Sequence, residues 1–172
     1  MDRSRIREIA LMSTNRNTKR RTIKIFTIGS NEKTAEEFFT LLKDAGVRRV
    51  VDIRLRNNSQ IQGFTKMTHL PYLLLEIAGV GYEHMPDLAP DDDILDTWKA
   101  SKKSDIDWKW YEDHFIPLLE QRKIETLVKS ADLDHACLLC SEPAPDKCHR
   151  RLVAEYLCDK WSDRAAVEIV HI

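Results

Sequence analysis

The run Ala136-Cys137-Leu138-Leu139-Cys140 contains no residue that needs water. A strand this short and this apolar belongs in the middle of a parallel sheet, where helices cover both faces. A strand with one wet face would alternate instead. The pattern elsewhere agrees. Ile23 to Ile28 is β-branched and aromatic and stops at Gly29-Ser30-Asn31, as a strand entering a turn does. Thr34 and Glu37 have the spacing of a capping box, Phe38, Leu41, Leu42 and Ala45 recur at helical intervals, and Gly46 marks the stop. Val47 to Ile53 is a second strand. Two strands joined only through a helix form a parallel βαβ unit.

Downstream, Arg56 to Phe64 reads as a polar loop. Leu70, Leu73, Leu74 and Ile77 form the stripe of a helix that begins near Thr68 and ends at Gly79. Gly81 to Met85 is a short third strand, stopped by Pro86. Asp87 to Lys103 gathers Asp87, Asp91, Asp92, Asp93 and Asp96 around few apolar anchors, which predicts an irregular, mobile excursion with a solvated acidic face; it lacks the central glycine of a calcium loop. Trp108 to Ala131 is helical in period, with Phe115, Leu118, Leu119, Leu127 and Val128 inward and Pro117 starting or kinking a segment. The apolar strand and the loop Ser141 to Pro145 lead to a helix from about Asp146 to Trp161, then to a last strand, Val167 to His171. The alternation predicts an α/β fold: one doubly wound, Rossmann-like or flavodoxin-like domain over residues 22–172, with a mostly parallel five-stranded sheet.

The chain carries 27 basic and 28 acidic residues, so it is nearly neutral, but unevenly so. Residues 1–21 hold Arg3, Arg5, Arg7, Arg16, Lys19, Arg20 and Arg21 against Asp2 and Glu8, which leaves the acidic excess in the body. That excess argues against broad nucleic-acid binding. Residues 1–21 are either an arm that contacts nucleic acid or a solvated, flexible extension. The head lacks the apolar stretch and cleavage site of a secretory signal, and no apolar run reaches the roughly 20 residues of a membrane span. A cytoplasmic protein without membrane contact is expected. There, clustered Cys137, Cys140, Cys148 and Cys158 point to chemistry or metal binding before disulfides.

In parallel sheets ligands bind beyond the carboxyl ends of the strands. Gly29-Ser30 after the first strand, Asp52 and Arg54 after the second, and Cys140-Ser141-Glu142 after the apolar strand all fall there. Cys148-His149-Arg150 opens the following helix. Cys148 aligns with Leu152 and Tyr156, and His149 with Val153 and Leu157, so both face the sheet. The free N–H groups and partial positive charge of a helix start favour anions and thiolates, and Arg150 adds a fork suited to carboxylate or phosphate. Asp52 and Arg54 share one side of a strand end, where charges are costly unless paired or used. Ser59, Tyr82 and His84 are assigned to the same crevice, with a core position as the alternative for Tyr82. Cys137-x-x-Cys140 with Cys148-His149 offers the donors of a zinc site, but strand alternation sends Cys137 and Cys140 to opposite faces. No metal is assigned, Cys137 is placed in the core, and nothing in the sequence names a cofactor.

Thr27-Ile28-Gly29, Glu37-Phe38, Leu41-Leu42, Asp52-Ile53-Arg54, Ser59, Gly63-Phe64, Gly79, Tyr82, His84 and Leu88 are followed by Leu139-Cys140-Ser141-Glu142-x5-Cys148-His149-Arg150-Arg151. In this order they resemble the bacterial and archaeal family called domain of unknown function 488, over roughly residues 23–172. The resemblance implies a compact α/β domain with Asp52, Arg54, Cys140, Glu142, Cys148, His149 and Arg150 at hallmark positions, and it implies no particular reaction. One departure is Leu88-Ala89, where leucine–glycine is usual.

Three functions remain open at this point. The first is a small hydrolase or group transferase for an anionic, phosphorylated or nucleotide-like small molecule. Arg54, Arg150 and the helix start would hold the anion, Asp52 or Glu142 would exchange protons, Cys140 or Cys148 would attack, and His149 would be the base. The second is a thiol redox or sulfur-transfer protein that cycles Cys140 and Cys148. The third is a non-catalytic module that senses a ligand in the crevice and touches nucleic acid through residues 1–21.

Overall fold

The computed structural model describes residues 22–58, 63–100 and 107–172. In chain order, β1 (Thr22–Gly29) is followed by α1 (Ala35–Asp44), β2 (Arg49–Asp52), α2 (Leu70–Leu73) and β3 (Gly81–His84). Then come α3 (Asp92–Ala100), α4 (Trp108–Arg122), α5 (Ile124–Leu127), β4 (Ala136–Cys140), α6 (His149–Trp161) and β5 (Ala166–His171). The capping box is present: the Glu37 N–H donates to Thr34 Oγ1 at 3.1 Å, and the Thr34 N–H donates to the Glu37 carboxylate at 2.7 Å.

The five strands are all parallel, in the order β3-β2-β4-β1-β5. β4 lies in the centre and every one of its residues is buried, which is why its sequence is apolar throughout. β1 and β2 are parallel, as the βαβ pattern requires, but β4 is inserted between them.

Side chains alternate across the sheet into two cores. Phe26, Ile28, Val50, Cys137 and Leu139 pack with Phe38 and Leu42 of α1 and with Leu70 and Leu74. Ile25, Val51, Ala136 and Leu138 pack on the other face with Tyr111, Phe115 and Leu119 of α4 and with Leu152, Val153 and Leu157 of α6. The helices after β1 and β2 thus cover one face and the helix after β4 covers the other. The loops part around the carboxyl end of β4, which is the kind of switch point where open α/β sheets bind ligands.

Four segments differ from the sequence expectation. The acidic stretch contains a regular helix, α3, rather than an irregular excursion. Asp91 accepts from the Ile94 N–H at 3.0 Å, and Arg56, far upstream, pairs with Asp92 and Asp96. The residues 101–103 of that stretch lie outside the described residues, as do residues 1–21 and Ser59.

The long helix from Trp108 stops at Lys123, which adopts a left-handed conformation (φ 50°) and redirects the chain into α5. Leu127 is therefore half exposed rather than inward. Beyond α2 the chain widens into a π-helical turn, Leu74–Ala78, before Gly79. A wider turn advances each residue by a smaller angle. Leu74 stays buried while Ile77 rotates out of the stripe to 47 % exposure. The last helix begins at His149, with Cys148 as its extended N-cap, rather than at Asp146. Among the described residues no helix is long and apolar enough to cross a membrane.

Candidate active site at the carboxyl end of the central strand

Backbone pairing carries the sheet past its strand ends and fixes the loop that follows β4. The Ser30 N–H donates to Cys140 O at 3.0 Å, the Asn31 N–H to Ser141 O at 2.9 Å and the Ile53 N–H to Leu139 O at 3.1 Å. The loop then closes over the end of β1 so tightly that a Cβ on Gly29 would stand 1.9 Å from the Glu142 carbonyl oxygen. Only a residue without a side chain fits there. Gly29 admits the loop, while Ser30 lines the outer part of the crevice.

Arg150, buried at 1 % exposure, holds the loop from the opposite side. Its Nη1 donates to Glu142 O at 2.5 Å, its Nη2 to Pro143 O at 3.1 Å and its Nε to Thr27 Oγ1 at 3.3 Å. Thr27 Oγ1 also lies 2.7 Å from His171 Nδ1, at the end of β5. The guanidinium sequence reasoning offered to an anion is thus spent largely on main-chain carbonyls.

Cys140, Cys148 and His149 meet beneath this loop, with their sulfur and ring-nitrogen atoms all within 4.8 Å of one another. His149 Nε2 lies 2.9 Å from Ile53 O. A carbonyl only accepts, so Nε2 carries the proton and the Nδ1 lone pair of the neutral ring points the other way. It points at Cys140 Sγ, 3.4 Å distant.

Burial opposes ionisation of Cys140. The Cys148 thiol, the Glu142 and Ser141 N–H groups and the positive Arg150 together outweigh it, and the thiol is held below its ordinary value. Burial pushes Cys148 well up, and its hydrogen bond to Cys140 adds to the rise. The two sulfurs have unequal surroundings, since the Glu142 and Ser141 N–H groups are directed at Cys140. Cys137 points into the opposite core, where burial keeps its thiol high.

Asp52 and Arg54 form the second half of the site. The two are buried and joined at both ends of the fork: Arg54 Nε donates to Asp52 Oδ1 and Nη2 to Oδ2, both at 2.7 Å. Arg54 Nη2 also donates to Thr65 O at 2.8 Å. Tyr82 donates its hydroxyl to Asp52 Oδ2 at 2.9 Å, and His84 Nε2 donates to Arg54 O at 2.9 Å. Tyr82 and His84 therefore brace the ion pair from behind, and neither lines the crevice.

Arg54, Cys140 and His149 border an inner pocket of about 100 Å³, room for several water molecules or a small ligand group. An adjoining outer crevice of about 710 Å³ shares Arg54, Ser141 and Glu142 with it. Glu142 is at the lip.

Sequence reasoning missed five contributors. Lys147 and Lys99 add positive charge to the wall, and Trp98 and Trp108, whose rings meet edge to face, give it an apolar side. Tyr111 is the fifth and stands apart. It is 2 % exposed and lines the inner pocket, and among the described residues its hydroxyl has no hydrogen-bond partner. Burial raises its pKa and the charges of Cys140, Cys148 and Glu142 raise it further, so the hydroxyl keeps its proton. The spacing of Tyr111 in α4 reads only as core. Its one legible signal is a polar tip among apolar neighbours. Ala89, the departure from the leucine–glycine pattern, is extended (φ −88°, ψ 158°), a conformation that needs no glycine.

No curated protein and no solved structure matches the sequence. A family model described as domain of unknown function DUF488 matches residues 34–157, well over half of the sequence and the whole span from Asp52 to Arg150, and the chain belongs to that family.

Proposed function

We propose that the protein is an enzyme that uses Cys140 as a nucleophile on a small anionic substrate, transferring or hydrolysing an acyl or phosphoryl group. The observation that carries this reading is the 3.4 Å approach of Cys140 Sγ to a His149 nitrogen whose tautomer Ile53 O dictates, at the floor of a pocket. His149 Nδ1 takes the Cys140 proton as sulfur bonds to the electrophilic centre. The bond to the leaving group breaks, and that group leaves with the proton from His149. Water or an acceptor hydroxyl then attacks the enzyme-bound group, gives its proton to His149 and regenerates Cys140. Lys99 and Lys147 supply the charge that favours an anion, and Tyr111 offers a donor for the oxygen on which charge develops. The Trp98 and Trp108 rings, which meet edge to face, give the pocket aromatic surface that suits a substrate bearing a ring, such as a nucleotide.

Labelling of the reduced, chelator-treated protein with iodoacetamide at neutral pH, read by mass spectrometry, tests the assignment. Cys140 is expected to react first, and His149→Gln to slow it by roughly 10-fold or more. Iodoacetate is expected to gain on iodoacetamide at Cys140 relative to a free thiol. A Cys140 that reacts no faster than Cys158 removes the reading. The nearness of the Cys148 sulfur favours a second reading, a reversible Cys140–Cys148 disulfide. Mild peroxide followed by a search for that linked peptide pair decides it.

A further inference from the structure

The meeting of Cys140, Cys148 and His149 is also the donor set of a soft metal. We propose that these three side chains bind one Zn²⁺, with a fourth coordination position open to the inner pocket, and that occupancy switches the Cys140 nucleophile off. The binding half of the proposal stands on geometry alone, whereas the switching half rests on the nucleophile reading above.

Zn–S bonds of about 2.3 Å and Zn–N bonds of about 2.0–2.1 Å arranged tetrahedrally give a sulfur–nitrogen edge of roughly 3.5 Å and a sulfur–sulfur edge of roughly 3.8 Å. The Cys140 Sγ–His149 Nδ1 separation is 3.4 Å, and all three donor atoms lie within 4.8 Å. The donors can close on one ion by side-chain adjustment. The strand end, the loop pinned by Arg150 and the helix start already place their backbones.

The second shell agrees. A metal-ligating histidine donates its other ring N–H to a carbonyl or carboxylate, which fixes the tautomer that coordinates. His149 does this through Ile53 O at 2.9 Å, leaving Nδ1 for the ion. Charge agrees as well, since two thiolates and one dication sum to zero at a site where all three side chains are buried. Cys137, the fourth donor of a C-x-x-C reading, packs in the opposite core. The set therefore stops at three protein donors, as in zinc sites that keep an open position. That position faces the pocket bordered by Tyr111 and Arg54, where water or a substrate oxygen would complete it.

The test uses the reduced full chain, freed of metal by chelator and dialysed, titrated with Zn²⁺ and separately with Co²⁺. One Zn²⁺ per chain with submicromolar Kd is expected, together with thiolate-to-cobalt charge-transfer bands in the untouched protein. Cys148→Ser is expected to weaken binding on the order of 100-fold, while Cys158→Ser, remote from the site, leaves it unchanged. One equivalent of Zn²⁺ should slow iodoacetamide labelling of Cys140 by at least about 10-fold. The absence of Zn²⁺ binding and of thiolate–cobalt bands overturns the metal site. If Cys140 still labels fast in chelator, the nucleophile reading survives that loss. Tight Zn²⁺ binding with a Cys140 that is inert even in chelator supports the metal site and removes the nucleophile and its switch.

Discussion

Two arginines are buried at the same edge of the sheet, and they are neutralised differently. Arg54 is clasped by a carboxylate, Asp52, with two bonds of 2.7 Å. Arg150 is held by two carbonyls and a hydroxyl, and no carboxylate among the described residues lies within ion-pair distance of it. Both are satisfied as hydrogen-bond donors, but only Arg54 is cancelled as a charge. The half of the site around β2 is electrostatically closed. The half around β4 keeps a positive charge that neutral dipoles solvate, and this charge adds to the Cys148 thiol and the Glu142 N–H in holding the Cys140 thiol down. A buried arginine can thus bind an anion, brace one, or create the field in which one forms, and its partners tell which.

The largest expected effect tests the closed half. Arg54→Met leaves the Asp52 carboxylate buried without its partner and should cost about 3–5 kcal/mol in urea unfolding. Adding Asp52→Asn should recover a substantial part of it, because the uncompensated charge goes with the carboxylate. Failure of that rescue would break the comparison at its first term.

Arg150→Met is expected to be somewhat milder, about 2–3 kcal/mol, from two carbonyls and a hydroxyl losing donors. No carboxylate substitution should rescue it, and Cys140 labelling should slow alongside. If Glu142→Gln restored stability to Arg150→Met, a hidden carboxylate partner would be exposed and the contrast lost.

Smallest is Thr27→Val, which removes one acceptor from Arg150 and should cost about 1 kcal/mol in the same unfolding assay. Its Cys140 labelling rate should stay close to that of the parent, since the charge remains. A drop as large as that of Arg150→Met would mean that the loop geometry, rather than the charge, governs the thiol.

What could be read from the chain beforehand follows the range of the interactions. The capping box at Thr34 and Glu37, the strand stop at Gly29 and the apolar β4 are local signals, and each is found in place. The convergence of Cys140, Cys148 and His149 was legible as well, because helix periodicity and strand alternation are short-range geometry. α3 was not legible, since its aspartates are balanced by Arg56, some 40 residues earlier. Ile77 and Leu127 were misplaced by a π turn and a left-handed Lys123, neither of which leaves a mark in composition. The contrast between the two arginines was equally invisible. Both sit at a strand or helix end in the sequence, and only the folded chain reveals that one faces a carboxylate and the other a row of carbonyls.

The strand order carries a consequence for biosynthesis. β1 leaves the ribosome before every other described strand, yet its hydrogen-bonded neighbours in the sheet are the last two of these, β4 and β5. A nascent chain that ends short of residue 136 can join β2 to β3, but it leaves the apolar β1 with both edges bare. Such an intermediate has strong reason to be sheltered until translation finishes. The same order delays the site. The surroundings of Cys140 are assembled from Ile53, Gly29 and the start of α6, so they are complete only once the last helix has joined the sheet.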